Sequence, residues 1–425
     1  MKKQVEFLNI GKTQNMDLCT GCGTCVGMCP NSAIEMYINS KGNYVPHINN
    51  DECNQCGICF ETCPGHTVDF KQLNSLIFGK SPENKLIGNY INCYIGHSTD
   101  KKIRWSASSG GLITTLLIFA LEKGIIDGAL VTRMSEKNPL EPEVIIARTK
   151  EEIISASGSK YCPVPANIAL KEILKGDGKF AVVGLPCHIH GIRKAEMLNE
   201  KLKEKVVLHL GLFCGHTVNF LGTEFILQKI NIKKEEVVKL TYRGNGWPGG
   251  MSIELKNGDK RFVPSPLYWG NIFGMYFFTP TRDTLCSDGT CELADISFGD
   301  AWLPELEDNK IGESIIISRS KLGEKILQSL ISERKIELNK INADSVVQSQ
   351  SNMLRFKKES LKARFFLFKL LGKNIPVYNS EIFKPKFITY LKYVLKFILL
   401  YLRIYISSKR YLWRFIKNNL HSYNQ

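Results

Sequence analysis

From residue 103 to residue 341 the apolar positions switch repeatedly between helical and strand spacing. Residues 112–123 are apolar around most of a helix, while 128–132 and 144–147 are short runs of strand-forming residues. The runs 180–184 and 206–210 are apolar without interruption, the mark of strands buried on both faces. Helical spacing follows each of them, and strands alternating with helices predict an α/β domain. Thr149-Lys150-Glu151-Glu152 has the spacing of a capping box and opens one of those helices. A hairpin is expected where 251–256 and 260–263 flank Asn257-Gly258-Asp259. Residues 71–100 read as a polar connector, interrupted by Ser81-Pro82-Glu83-Asn84.

Ahead of this domain the pattern is set by cysteine. Cys19-x2-Cys22-x2-Cys25-x3-Cys29-Pro30 is repeated as Cys53-x2-Cys56-x2-Cys59-x3-Cys63-Pro64. Three closely spaced thiolates wrap one cubane and the fourth reaches to the other cluster. Two [4Fe-4S] clusters follow, one on Cys19, Cys22, Cys25 and Cys63, the other on Cys53, Cys56, Cys59 and Cys29. Gly21, Gly23 and Gly57 stand where the chain must turn tightly and offer N–H groups to sulfur. A zinc site would want two separated pairs of ligands. A disulfide framework would suit a secreted chain without a large core.

Composition then bounds the rest. At 425 residues the chain is too long for a ferredoxin alone and implies further domains with a sizeable core. Fourteen cysteines and an N-terminus without an apolar leader core point to a reducing, cytoplasmic setting. The net charge is +15, but nine Lys or Arg and no acid lie in 382–425, which leaves only +6 for the body. A nucleic-acid protein is therefore a poor reading. On one continuous helix Lys392, Lys396, Arg403, Arg410, Arg414 and Lys417 would share a face about 60° wide, the remainder being apolar and aromatic. That tail predicts either an interfacial helix meeting anionic headgroups on the inner face of the membrane, or a helix docked on protein. Basic residues interrupt it too often for a span.

Glycine-rich patches at element junctions are the candidate cofactor sites. Ser106-Ala107-Ser108-Ser109-Gly110-Gly111 runs into the helix at 112, so hydroxyls, free N–H groups and a helix N-terminus meet, although such a patch also serves as a simple cap. Gly184-Leu185-Pro186-Cys187 ends a buried strand in the same manner, and Gly158-Ser159-Lys160-Tyr161 sets a cation beside an aromatic ring. Cys187, Cys214, Cys286 and Cys291 fall near element ends and leave open a third cluster or a redox-active thiol. Small buried cysteines are the ordinary alternative, here and at Cys93 and Cys162. His188, His190, His209 and His216 flank Cys187 and Cys214 and are expected mostly as satisfied core or loop residues.

Taken in order, Arg104 to Gly111, Gly158 to Tyr161, Val183 to Cys187, Gly211 to Cys214, Tyr242 to Gly249, and Cys286-x4-Cys291 followed by Ala294 to Trp302 resemble the beta subunit of coenzyme F420 hydrogenase/dehydrogenase. The resemblance covers residues 10–340 and is silent on the tail. It implies an iron–sulfur flavoprotein with FAD in the α/β domain, exchanging electrons with a ferredoxin or other redox protein and hydride with F420, a nicotinamide or an organic substrate. It also implies a flavin site built from Ser109, Gly110 and Gly111 at the helix N-terminus, Lys160 and Tyr161 near the ring or phosphates, and Gly184, Pro186 and Cys187 opposite. Clusters carry single electrons and hydride carriers exchange two, so a flavin is the converter between them. A pure electron-transfer module without flavin is the alternative.

The expected fold is an α+β ferredoxin-like two-cluster domain, an α/β flavin-binding domain and a helical basic tail. Its divisions are 1–75 for the ferredoxin, 76–165 and 166–345 for the N- and C-terminal parts of the F420 hydrogenase/dehydrogenase body, and 346–425 for the tail.

Overall fold

The computed structural model describes residues 8–380, 383, 386–414 and 416. The extreme N-terminus and Lys417, both used above, lie outside them. One eight-stranded mixed sheet organises the body. Its order is Ile336–Ile341, Asn92–Ser98, Ser314–Ser318, Ile296–Asp300, Val206–Leu212, Phe180–Gly184, Gly128–Met134 and Pro142–Ala147. The four strands from Ile296–Asp300 to Gly128–Met134 are mutually parallel. The apolar runs are buried as expected, with Phe180, Ala181, Val182, Leu208 and Leu210 fully inaccessible. The sheet draws strands from both sides of residue 165, so the two halves of the body share one core.

Helices cover both faces. Leu112–Glu122 packs Leu116, Leu117, Phe119 and Ala120 with Leu208, Leu210 and Phe298 on one side. On the other, Pro186–Leu198 brings Ile189, Ile192 and Ala195 against Phe180 and Val182. The capping box at Thr149 and the hairpin Gly250–Leu255 with Lys260–Pro264 form as the sequence predicts. That hairpin joins Val237–Thr241 in a separate three-stranded sheet.

The supposed connector is structured. Phe70–Phe78 is a helix, capped by the Asp69 side chain, which accepts from Gln72 N–H, and closed by Gly79 in the left-handed region. Asn92–Ser98 is an interior strand between Ser314–Ser318 and Ile336–Ile341. Its polar residues are tolerated because they are bonded: Asn92 and the Tyr94 hydroxyl both donate to Glu324.

The ferredoxin module is seated directly on the body. Its Met28, Val68, Phe70 and Leu73 share a core with Leu170, Ile189 and Ile192. A Cβ on Gly27 would stand 2.1 Å from the Asn167 carbonyl oxygen, and one on Gly191 2.1 Å from Thr24 Oγ1. Asn167 donates from its side chain to Thr24 Oγ1 and the His188 carbonyl, and from its backbone to the Cys22 carbonyl. Val377–Tyr378 adds a strand to Thr67–Val68 and ties the region following the body back onto the module.

A buried charged network pins the sheet to the helix above it. His209 meets Asp295 at 3.1 Å and Glu196 at 2.6 Å, and Arg193 completes the ring against both carboxylates. Burial and Arg193 oppose protonation of His209, yet Glu196 and Asp295 overcome them and raise its pKa. Burial likewise opposes ionisation of Glu196 and Asp295, but His209 and Arg193 lower both. A raised histidine pKa stabilises fully below its unfolded value of about 6.5 and is lost as pH rises through the folded value. His209→Gln should therefore cost about 1–3 kcal/mol below that pH and progressively less above it. Melting curves of both proteins across pH test this, and a constant difference would contradict it.

The tail departs from a single continuous helix. Phe387–Ser407 is helical, but a 3-10 turn at Arg410–Leu412 then redirects the chain. Arg410 pairs with Glu224 at 2.7 Å, and Trp413 and Ile416 enter a core with Phe225 and Phe278. Of the stripe's described members, Lys392, Lys396 and Arg403 lie on this helix. The helix does dock on its own body, where Phe397, Leu400 and Ile404 pack with Leu18, Leu285, Phe365 and Phe368.

Candidate functional site

The two halves of the cysteine ladder are built alike. Thr24–Gly27 and Ile58–Glu61 are single-turn helices, each entered through a left-handed glycine, Gly23 at φ 82° and Gly57 at φ 77°. Amide N–H groups are directed at sulfur: Gly21 donates to Cys19 Sγ at 3.4 Å and Gly65 to Cys63 Sγ at 3.3 Å. Burial, with the adjacent Cys63 and Cys22 acting in the same direction, raises the Cys19 pKa to about 12. Cys25 is raised by burial and by Cys22, Cys19 and Cys63, with Cys59 of the second half-ladder a smaller influence. Burial, aided by Cys56, Cys29 and Cys53, likewise takes Cys59 to about 11. The last three line one small cavity with Cys59, Pro30 and Gly57. The neighbourhoods therefore run Cys19, Cys22, Cys25, Cys63 and Cys29, Cys53, Cys56, Cys59. Bound cationic iron removes the cost of these buried thiolates. Among the described residues no three His, Cys, Asp or Glu close on a single metal ion. A cubane spreads its sulfurs over four corners, so the two observations agree.

A cleft of about 660 Å³ separates the first half-ladder from the body, lined by Cys19, Thr20 and Gly21 on one side and Leu185, Cys187 and His188 on the other. Behind it the later cysteines gather. Cys187 is half-buried in the cleft wall, and Cys22, Asp283, Cys214 and Cys286 all lie near enough to raise its thiol beyond the effect of burial. Cys214 has Asp283 and Cys286 beside it, with the fully buried Lys357 as the opposing charge. Asp283 is fixed by the amide and hydroxyl of Thr217, at 2.7 and 2.6 Å. The Cys291 thiol, with Cys214 and Cys286 also near it, lies 4.0 Å from the Gly184 carbonyl, and its Cβ packs where a side chain on Gly211 would stand. Asp283 thus stands with Cys187, Cys214 and Cys286 in a position the sequence reading assigned to no acid.

The remaining candidate residues lie toward the carboxyl ends of the parallel strands, the usual ligand crevice of an open α/β sheet, in two groups. Gly111, at φ 74°, opens the helix Leu112–Glu122, whose first amides have no helical partner. The Gly110 N–H donates to Ser314 Oγ, Ser109 Oγ lies 2.8 Å from the same oxygen, and Ser108 accepts from the Ser159 N–H. Lys160 is spent locally: its ammonium donates to the carbonyls of Ala156, Ser157 and Gly158, and burial lowers its pKa to about 7. Tyr161 packs on Trp269 and is approached by Arg243 Nη1 at 3.2 Å. Gly184, Pro186 and Cys187 stand at the end of their own strand, on the cleft side.

Arg243 and Asp300 are the pair sequence reasoning left without a role. They meet at 2.5 Å with side chains 6% and 15% exposed, and Trp247 Nε1 donates to the same carboxylate. Burial works against the guanidinium, but Asp300 and Tyr161 hold its pKa above the ordinary value. The signal was present as Tyr242-Arg243-Gly244 and Gly299-Asp300, but 57 residues separate the partners. The histidines are structural: His188 bonds Val164 and Leu185, His190 bonds Asp288, and His216 bonds the Phe273 carbonyl.

Comparison with known proteins places these features. Residues 93–171 and 177–344 match the N- and C-terminal regions of the coenzyme F420 hydrogenase/dehydrogenase beta subunit, and 18–67 match a 4Fe-4S dicluster domain. The coenzyme F420 hydrogenase subunit beta of Methanosarcina barkeri is 29% identical over 270 residues, 61% of this chain and 85% of that protein. The coenzyme F420-dependent sulfite reductase of Methanocaldococcus jannaschii is 26% identical over 82% of this chain and 51% of its own length. Among solved structures, a chain of the F420-reducing [NiFe] hydrogenase complex from Methanosarcina barkeri superposes with a TM-score of 0.55 at 25% identity, covering 70% of this chain and 98% of that one.

Proposed function

Because the chain belongs to the coenzyme F420 hydrogenase/dehydrogenase beta subunit family and carries a 4Fe-4S dicluster domain, we propose that it is an iron–sulfur flavoprotein oxidoreductase. It passes electrons between a ferredoxin-type partner, two [4Fe-4S] clusters and FAD, and exchanges hydride with F420 or another organic substrate. The observation that carries this reading is the cleft, which sets Cys19 of the ladder against Cys187 at the end of a sheet strand. Bound FAD supplies the conversion between single electrons and hydride.

This chain's residues would then divide the work. The ladder cysteines hold two clusters, and the amides of Gly21 and Gly65 stabilise the charge on sulfur. Cys187, Cys214, Cys286 and Cys291, with Asp283 beside the first three, are the place for a third cluster. The Gly110–Gly111 turn and the first amides of its helix suit a phosphate. Ser109 and Lys160 serve by shaping their loops, Tyr161 offers a ring held by Arg243, and Gly184 and Pro186 let the backbone approach from the cluster side.

The relatives named as hydrogenase subunits favour one other reading, a flavin-free electron-transfer subunit of a larger complex. Anaerobic purification separates the two. About eight iron per chain are expected from the ladder, about twelve if the later cysteines also bind a cluster, with one flavin released on acid extraction. Full iron without flavin would select the electron-transfer subunit, and zinc in place of iron would overturn both.

A further inference from the structure

The C-terminal helix buries one face and leaves another bare. At 100° per residue Phe397, Leu400, Ile404 and Ser407 share the side turned to the body, all of them buried. On roughly the opposite side, within about 100° of one another, lie Ile388, Leu391, Leu395, Ile398, Leu399 and Leu402. These are 40–70% exposed, with Phe387 at 74% beside them. Lys392, Lys396 and Arg403 occupy the strip between the two faces. No acid occurs anywhere in 382–425.

We propose that this face docks the protein on the surface of an anionic lipid bilayer. A stripe of Leu and Ile about 20 Å long, already helical and held outward by its docked opposite face, can enter the acyl boundary without a folding cost. The two lysines border one edge of it, where they can keep their aliphatic stems in the boundary and their ammonium groups among phosphates. Charge favours this occupant over a second copy of the chain: the strip beside the face is cationic and 382–425 carries no acid, which suits anionic headgroups rather than the same cationic face. Among the described residues no helix is long and apolar enough to cross a membrane, so the contact is one of lying on the surface. The inference stands apart from the flavin reading, since it uses none of those residues.

Flotation of the full chain with vesicles tests it, using phosphatidylcholine alone and an equimolar mixture with phosphatidylglycerol. Binding is expected to the mixed vesicles, weakened by high salt, and little to the neutral ones. Leu391→Glu with Leu395→Glu should lower the partition at least about tenfold. Lys392→Glu with Lys396→Glu should lower it several-fold on mixed vesicles only. All four side chains are exposed, so iron content and melting should match the parent, and the charge-reversal pair reports independently of the leucine pair. No flotation by the full chain, or equal flotation by both variants, overturns the proposal. So does self-association or capture of a hydrogenase-type subunit that the leucine pair abolishes while lipid binding persists.

Discussion

Replacing Cys63 by alanine will empty the cluster carried by Cys19, Cys22 and Cys25 and spare the one carried by Cys53, Cys56 and Cys59. The expected loss is about four iron per chain. The spectrum of the remainder should match that of a Cys19→Ala protein and differ from that of Cys56→Ala. The reason is the proposed crossing of the ladder: Cys63 is buried, its sulfur accepts from the Gly65 amide, and its neighbouring thiol is Cys22. Lys194, which donates to the Cys63 carbonyl at 2.6 Å, and Arg282, which donates to the Gly65 carbonyl at 2.9 Å, hold this loop against the body. Loss of the first cluster should therefore also loosen the contact through which the module meets Cys187. An uncrossed ladder would show itself if Cys63→Ala and Cys56→Ala gave the same residual spectrum.

What could be read from sequence followed from how local its cause was. The ladder is legible because a cubane demands thiolates at fixed spacing, and the parallel strands because burial on both faces demands unbroken apolar runs. The helix at Phe70–Phe78 carried its own signals in Asp69 and Gly79, overlooked beneath a polar composition. The Asn92–Ser98 strand was not readable in this way, since Glu324 satisfies its polar residues from 230 positions away. The end of the C-terminal helix is likewise decided by tertiary contacts. Nothing near Ser407 forbids continuation, but the chain turns so that Trp413 can reach Phe225 and Arg410 can reach Glu224. Asp283 escaped notice because three cysteines from separate elements give it meaning.

The same distance hides the Arg243–Asp300 pair, and there the energetic consequence should be large. Arg243→Met keeps much of the volume but leaves Asp300 with Trp247 as its remaining side-chain donor, at 3.3 Å. It also takes the guanidinium away from the Tyr161 hydroxyl and the Pro248 carbonyl. Breaking a buried pair in this manner costs about 3–5 kcal/mol, because the surviving charge has no compensation. The pair joins the 243–249 loop to the end of strand Ile296–Asp300 and to Tyr161, three parts of the proposed flavin crevice. Flavin occupancy should therefore fall together with stability. Asp300→Asn added to Arg243→Met should restore part of the stability by removing the stranded charge, without restoring Tyr161 to its place or the flavin with it. Denaturant unfolding and extracted flavin, measured on the parent, both single variants and the double, separate the two effects. A double variant no more stable than Arg243→Met would mean that the charge pairing is not what holds this crevice together. Full flavin occupancy in Arg243→Met would move the flavin away from it.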